Sequence, residues 1–224
     1  MKTIGLATFS ILLVIALNLN AMPLSPESVR NLKATGELEQ VTQRMNSART
    51  KGVNVPGESI MTSLRRVDQG VNRDQQQLKI PVILVDFADN AADKNTYPAG
   101  HYEDLLFSKG ELDPGSMREF YLDNSYDEVD ITGQVVAWVR LPRDYAYYVD
   151  GQNGFGNAPR NAQGMVYDAV KGADNQINFA EFDNNDDGEV DGLFIVHAGG
   201  GAEANGGNDD MIWSHAWGLN ENAV

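Results

Sequence analysis

The tightest constraint on this chain is the run Ile80-Pro81-Val82-Ile83-Leu84-Val85-Asp86-Phe87. Its β-branched and apolar residues do not alternate with polar ones, as they would in a strand with one wet face. The segment therefore predicts a strand covered on both sides, with Pro81 at its mouth. Such a strand needs layers above and below it. Ser116-Met117-Arg118-Glu119 has capping-box spacing and opens a short helix carrying Phe120, Tyr121 and Asn124. Val129, Ile131, Val135, Ala137 and Val139 are spaced by two or four, which predicts one strand, or two broken near Gly133. Ala162, Met165, Val166 and Ala169 recur at helical intervals, and Leu193-Phe194-Ile195-Val196 reads as a further strand. Strands and helices interleave, so the fold class is mixed α/β.

Three parts follow one another along the 224 residues. Lys2 precedes an apolar run over residues 4–17, and a small residue, Ala21, stands before Met22. Residues 1–21 are expected to be a secretory signal peptide, because the run falls short of the roughly 20 residues that span a bilayer; a retained membrane anchor is the alternative. No later run is long enough to span, so the mature chain is expected to be extracellular with no membrane segment. Residues 22–77 read as a helical pro-segment and linker. Ser25-Pro26-Glu27 opens a helix that Gly36 closes, and Leu38, Val41, Met45 and Ala48 form a second helix ending at Lys51-Gly52. From Val53 to Gln77 the composition is that of a linker. Two roles stay open for this part: a cover over an active cleft, or a plain N-terminal extension. Residues 78–224 form the compact domain.

Lys and Arg number 17 against 32 Asp and Glu, a formal charge of −15, which excludes a sequence-blind grip on nucleic acid. An exported chain could use disulfides, yet there is no cysteine. Stability must come from packing and bound ions.

The acidic segment Asp183-Asn184-Asn185-Asp186-Asp187-Gly188-Glu189-Val190-Asp191 supplies such a site. Oxygen-bearing side chains stand at the first, third, fifth and ninth places, Asp183, Asn185, Asp187 and Asp191, with Gly188 sixth and the Glu189 carbonyl seventh. Calcium takes six to eight oxygens at about 2.3–2.6 Å, and a tight loop aims alternate side chains inward, so this spacing predicts a structural calcium site. The twelfth place, a bidentate Glu in an EF-hand, is Phe194, so the last ligand must be water or a distant carboxylate. A solvated acidic turn is the plain alternative.

No thiol, no Gly-x-Ser-x-Gly elbow and no pair of histidines with three residues between them marks a catalytic centre. His101 reads as a surface residue in a polar loop. His197 ends the apolar strand, where functional groups emerge from a sheet. His215 sits in Ile212-Trp213-Ser214-His215-Ala216-Trp217, and the Gly-rich stretch 199–207 before it reads as a flexible loop.

The order of these segments resembles the secreted immune inhibitor A type metalloproteases. The resemblance rests on Pro81-Val82-Ile83-Leu84-Val85-Asp86-Phe87, Gly115-Ser116-Met117-Arg118-Glu119-Phe120-Tyr121, Ser125-Tyr126 and Val135-Val136-Ala137-Trp138-Val139. Most specific are the acidic loop running into Leu193-Phe194-Ile195-Val196-His197-Ala198-Gly199, and then Ile212-Trp213-Ser214-His215. It implies a zinc-dependent endopeptidase of zincin-like architecture, acting on protein or peptide substrates, with zinc held by a downstream His-Glu-x-x-His helix. It also implies that His215 and Trp213 line the cleft. The sequence stops at Val224 before such a helix, so it carries no zinc ligand or general base of that motif and is expected to be an inactive fragment with an uncovered sheet face. A calcium-stabilised exported binding protein without hydrolytic activity is the alternative.

Overall fold

Val82, Ile83, Leu84, Val85 and Phe87 are all completely shielded from solvent, as an unbroken apolar run requires. The computed structural model describes residues 23–53 and 76–219. The expected leader and nearly all of the expected linker lie outside the described residues.

The buried run belongs to β1 (Gln76–Asp86), the middle strand of a parallel three-stranded sheet. Its neighbours are β2 (Val129–Arg140) and β3 (Phe194–His197). Between β1 and β2 the chain forms α3 (Ala99–Phe107) and α4 (Met117–Asn124), after the N-terminal helices α1 (Pro26–Thr35) and α2 (Leu38–Thr50). Between β2 and β3 come α5 (Tyr145–Val149), α6 (Ala162–Ala173) and a 3-10 turn at Phe179–Phe182. Helical crossovers are what parallel neighbours demand.

Alternate residues of β1 serve opposite layers. Ile83, Val85 and Phe87 pack with Tyr148, Met165, Ala169 and Phe182, while Val82 and Leu84 pack with Phe107, Ile131 and Val135. Each such side chain contributes about 1.5–3 kcal/mol through burial. Both faces of the central strand are thus covered within the described residues, and the expected bare sheet face is not found there. The exposed element is the edge strand β3, where Phe194 is 37% exposed.

Three local expectations need correction. Pro81 lies inside β1, one residue before β3 joins the sheet at Val82, so its missing N–H falls where the ladder is only two strands wide. The second strand is continuous through Gly133, but its register slips: Ile83 pairs with Val136 and Val85 with Val139. That extra residue breaks the period of two, leaving Ala137 exposed while Val136 is buried. His101 is exposed as expected, yet it stands on α3, a helix that the polar sequence did not announce.

The caps follow sequence closely. Ser116 accepts from the Glu119 amide and the Glu119 carboxylate accepts from the Ser116 amide, completing the capping box of α4. Ser25 accepts from the Ser28 amide at 3.0 Å, and Gly36 takes the left-handed conformation that ends α1. Leu32, Val41 and Ala48 then bury the hairpin against Phe155, Ala202 and Trp213, with Val53 only 1% exposed beside them. Val53 is therefore part of the hairpin's core and not of a linker.

Asp86, at the end of β1, is wholly buried and held by Arg140 Nε and Nη2 at 2.8 and 2.9 Å and by Lys94 at 3.2 Å. Burial pushes its pKa up, but Arg140, Lys94 and the Ala92 amide outweigh burial and hold the carboxyl below its ordinary range. Stability from this group is present above the unfolded carboxylate pKa of about 3.9 and is lost as pH falls through the lower folded value. Asp86→Asn is accordingly expected to flatten the fall of the urea midpoint between about pH 5 and pH 3, and an acid limb as steep as the parent's would contradict this. Gly133 gives a second check, because a Cβ there would lie 2.0 Å from the Ile80 carbonyl and 2.5 Å from the Phe107 ring. Gly133→Ala should lower stability by about 1–3 kcal/mol in urea titrations, and an unchanged midpoint would refute the close approach.

Candidate functional site

The acidic loop folds around Asp183. Its Oδ1 accepts from the Asp187 amide at 3.0 Å and its Oδ2 from the Gly188 amide at 2.8 Å. These amides, Gly188 first, hold its carboxyl below the usual range. Asp186 and Gly188 both have positive φ, 58° and 91°, which turns the chain sharply back on itself. Asp187 accepts from the Glu189 amide at 3.0 Å, and Asp191 accepts from the Asn184 amide and the Asn185 side chain, each at 2.8 Å. Of the five predicted residues, Asp183, Asp187 and Asp191 accept from the loop's own backbone amides, and Asn185 joins them through its side chain on Asp191. The fifth, Glu189, follows the turn and contributes its amide. Asn184 ties the loop to the start of β1, donating to the Lys79 carbonyl and accepting from the Lys79 amide at 2.7 Å.

A second cluster stands at the carboxyl end of the sheet. His197 closes β3, and the next amide, Ala198, donates to the Val85 carbonyl at 2.9 Å. The His197 Nδ1 lies 2.9 Å from the Ala198 carbonyl, and the His215 Nδ1 contacts the Trp213 carbonyl. A carbonyl only accepts, so both rings keep their proton on Nδ1 and leave Nε2 as an acceptor. Burial lowers the pKa of each ring. The backbone carbonyl and Glu203 oppose this, and His197 adds to it for His215. Burial thus favours the neutral form of both rings.

The segment through His215 is irregular and is held from three directions. Tyr145 accepts from the Ile212 amide at 2.7 Å. Asn153, fully buried, donates to the Asn208 and Met211 carbonyls at 2.6 and 2.9 Å, and its own carbonyl accepts from the Trp213 amide. Glu203 accepts from the Ser214 amide at 3.1 Å and from the Ser214 hydroxyl at 2.8 Å. Trp213 is 2% exposed beneath the α1–α2 hairpin, whereas His215 is half-buried, edge-on to Phe155 at 4.9 Å between ring centres.

Glu203 and Asn153 are the residues that sequence reasoning missed. The Gly-rich stretch is not a loose loop: it contains a 3-10 turn at Ala202–Ala204 whose Ala202 and Glu203 are buried. The signal was the Gly201-Ala202-Glu203 triplet, since a Cβ at Gly201 would fall 2.1 Å from the Glu203 carboxylate. A lone acid in a glycine run has room to fold back against the backbone.

Zinc does not find a ligand set in this cluster. Among the described residues, no group of three or more His, Cys, Asp or Glu side chains is placed to hold a metal ion. His197, His215 and Glu203 act on one another electrostatically without converging. No helix of the described residues is long and apolar enough to cross a membrane.

Comparison with known proteins agrees with the arrangement. Residues 65–224 match the immune inhibitor A peptidase M6 catalytic domain. The chain is 34% identical over 176 residues to the pre-pro-metalloprotease PrtV of Vibrio cholerae serotype O1 strain M66-2, covering 63% of this chain and 19% of that protein. It is 33% identical over 180 residues to immune inhibitor A of Bacillus thuringiensis subsp. alesti, covering 65% of this chain and 26% of the relative. The matched region thus spans about a fifth to a quarter of the length of these relatives. The chain belongs to the immune inhibitor A peptidase family, M6.

Proposed function

We propose that this chain is the N-terminal part of the catalytic region of a secreted, zinc-dependent endopeptidase of zincin-like architecture, with residues 1–21 as its signal peptide. The match of residues 65–224 to an M6 catalytic domain carries this reading. In it the zinc ligands belong to sequence beyond the described residues, and this chain's own side chains position and cover the substrate face. His215 borders the cleft, with Trp213 as the floor beneath it. Its support is the clamping of the 212–215 segment by Tyr145, Asn153 and Glu203 at the carboxyl end of the sheet, where α/β folds place their ligands.

The part before β1 acts as the removable cover; Gln76 and Gln77, expected to end the linker, instead open β1 and pair with β2. The α1–α2 hairpin sits on Phe155, Ala202 and Trp213 and is pinned by Arg44 to Asp209 at 2.7 Å and to the Gly207 carbonyl at 2.9 Å. The pre-pro wording in the name of the Vibrio relative is consistent with such a part.

Calcium steadies the scaffold at the acidic loop, through Asp183, Asn185, Asp187, the Glu189 carbonyl and Asp191, whose carboxylates turn to the loop's own amides in this structure without gathering at one point and would regroup around the ion. The oxygen spacing and the sharp turn at Gly188 support this, and the Asn184 staple would pass the gain to β1.

Two measurements test these statements. The complete reading frame is expected to continue past Val224 into a His-Glu-x-x-His motif, and its product to cleave casein until a zinc chelator is added. A stop codon directly after Val224, or cleavage indifferent to chelation, would overturn the peptidase reading. Calcium at about a hundredfold excess over its Kd should stabilise the 224-residue chain by about 2.7 kcal/mol in thermal melts. EGTA should reverse the gain and Asp187→Asn should abolish most of it; melting unmoved by calcium would refute the site.

A further inference from the structure

Helix α2 turns a polar stripe as well as an apolar one toward the body of the molecule. Val41, Met45 and Ala48 belong to the cluster with Phe155, Ala202 and Trp213. Gln40, Arg44, Ser47 and Lys51, spaced by four, three and four, follow an adjoining face and line a groove of about 360 Å³ against Gln152 and Phe155. The chain carries 32 acids against 17 bases, yet no Asp or Glu lines this groove.

Its donors are not used up by the protein. Arg44 gives Nη1 to Asp209 at 2.7 Å and Nη2 to the Gly207 carbonyl at 2.9 Å, but its Nε is shielded from solvent and has no hydrogen-bond partner. A shielded N–H without an acceptor keeps the whole cost of its lost hydration. Lys51 gives one ammonium proton to the neutral Phe155 carbonyl at 2.8 Å and has no carboxylate within ion-pair distance among the described residues. Two of its three protons and a full positive charge remain. The Gln40 amide and the Ser47 hydroxyl stand exposed on the same stripe as neutral donors.

We infer that this groove binds a small oxyanion, a phosphate or a carboxylate, between Arg44 and Lys51. Hydrogen bonds from charged donors to an oxyanion are about twice as strong as neutral ones, and the free Nε and ammonium protons supply them. The last carbonyls of α2 repel an anion, and Lys51 stands where its charge offsets them. Both cations also reach across to the body, Arg44 at Gly207 and Asp209 and Lys51 at Phe155, so an anion shared by them fastens the hairpin in place. Its regulatory consequence, a ligand that holds the cover shut, rests on the reading of the part before β1 as removable.

The test follows amide hydrogen exchange of α2 in the 224-residue chain by NMR. Inorganic phosphate at tenfold excess over its titrated Kd should slow the α2 amides about elevenfold and leave those of α6 unmoved. Succinate at the same ionic strength separates the two sources: slowing by phosphate alone assigns a phosphate ligand, slowing by succinate a carboxylate, and either supports the site. No slowing by both oxyanions, or equal slowing by chloride at matched ionic strength, would overturn it. Gln40→Glu sets a carboxylate one turn before Arg44 on an exposed position and so fills the site in cis. Its α2 amides should exchange slowly without phosphate and no longer respond to it, and a response equal to the parent's would refute the placement. Neither readout involves peptide cleavage or removal of the hairpin, so the loss of the peptidase reading and the loss of this site are separately visible.

Discussion

Complete burial of β1 organises the rest of the molecule. A strand hidden on both faces, with parallel partners on both sides, requires helices to carry the chain back across each face. That is why α3 and α4 lie on the Val82 and Leu84 side while α5 and α6 lie on the Val85 and Phe87 side. Parallel strands also bring their carboxyl ends to one edge. Asp86, Ala198 and His197 meet there, joined by the Ala198 to Val85 hydrogen bond, and the connections that leave the sheet begin there.

Buried charge is handled by pairing. Asp86 holds Arg140 and Lys94, and Asp130 takes a bidentate bond from Arg118 at 2.6 and 2.7 Å. Glu203 is satisfied by Ser214. A chain of formal charge −15 can therefore keep acids inside without repelling itself apart, provided each has a local donor. The acidic loop uses the same device with backbone amides, which leaves its carboxylates arranged around one turn.

How much of this was legible in the sequence depended on whether the cause was local. The caps at Ser25 and Ser116, the helices over residues 38–50 and 162–173 and the doubly covered strand all follow from spacing and side-chain chemistry read within one window. The slip that exposes Ala137 depends on how β2 meets β1, and no pattern within β2 alone encodes it. Glu203 was hidden because its role arises from Ser214, eleven residues away, across a glycine run that resembles an unstructured loop. Asn153 was hidden for the same reason, since its partners at 208, 211 and 213 lie more than 50 residues along the chain. The turn at Gly188 was visible, being a property of nine consecutive residues.

The central proposal is a division of labour in which the described residues of this M6 family member build the scaffold and supply no zinc site of their own. Zinc content separates that from its opposite most directly. The 224-residue chain and the product of the complete reading frame would be dialysed together against trace zinc and their metal measured by mass spectrometry. The account predicts about one zinc per molecule in the longer product and none held by the shorter chain. Stoichiometric, dialysis-resistant zinc in the 224-residue chain would contradict it.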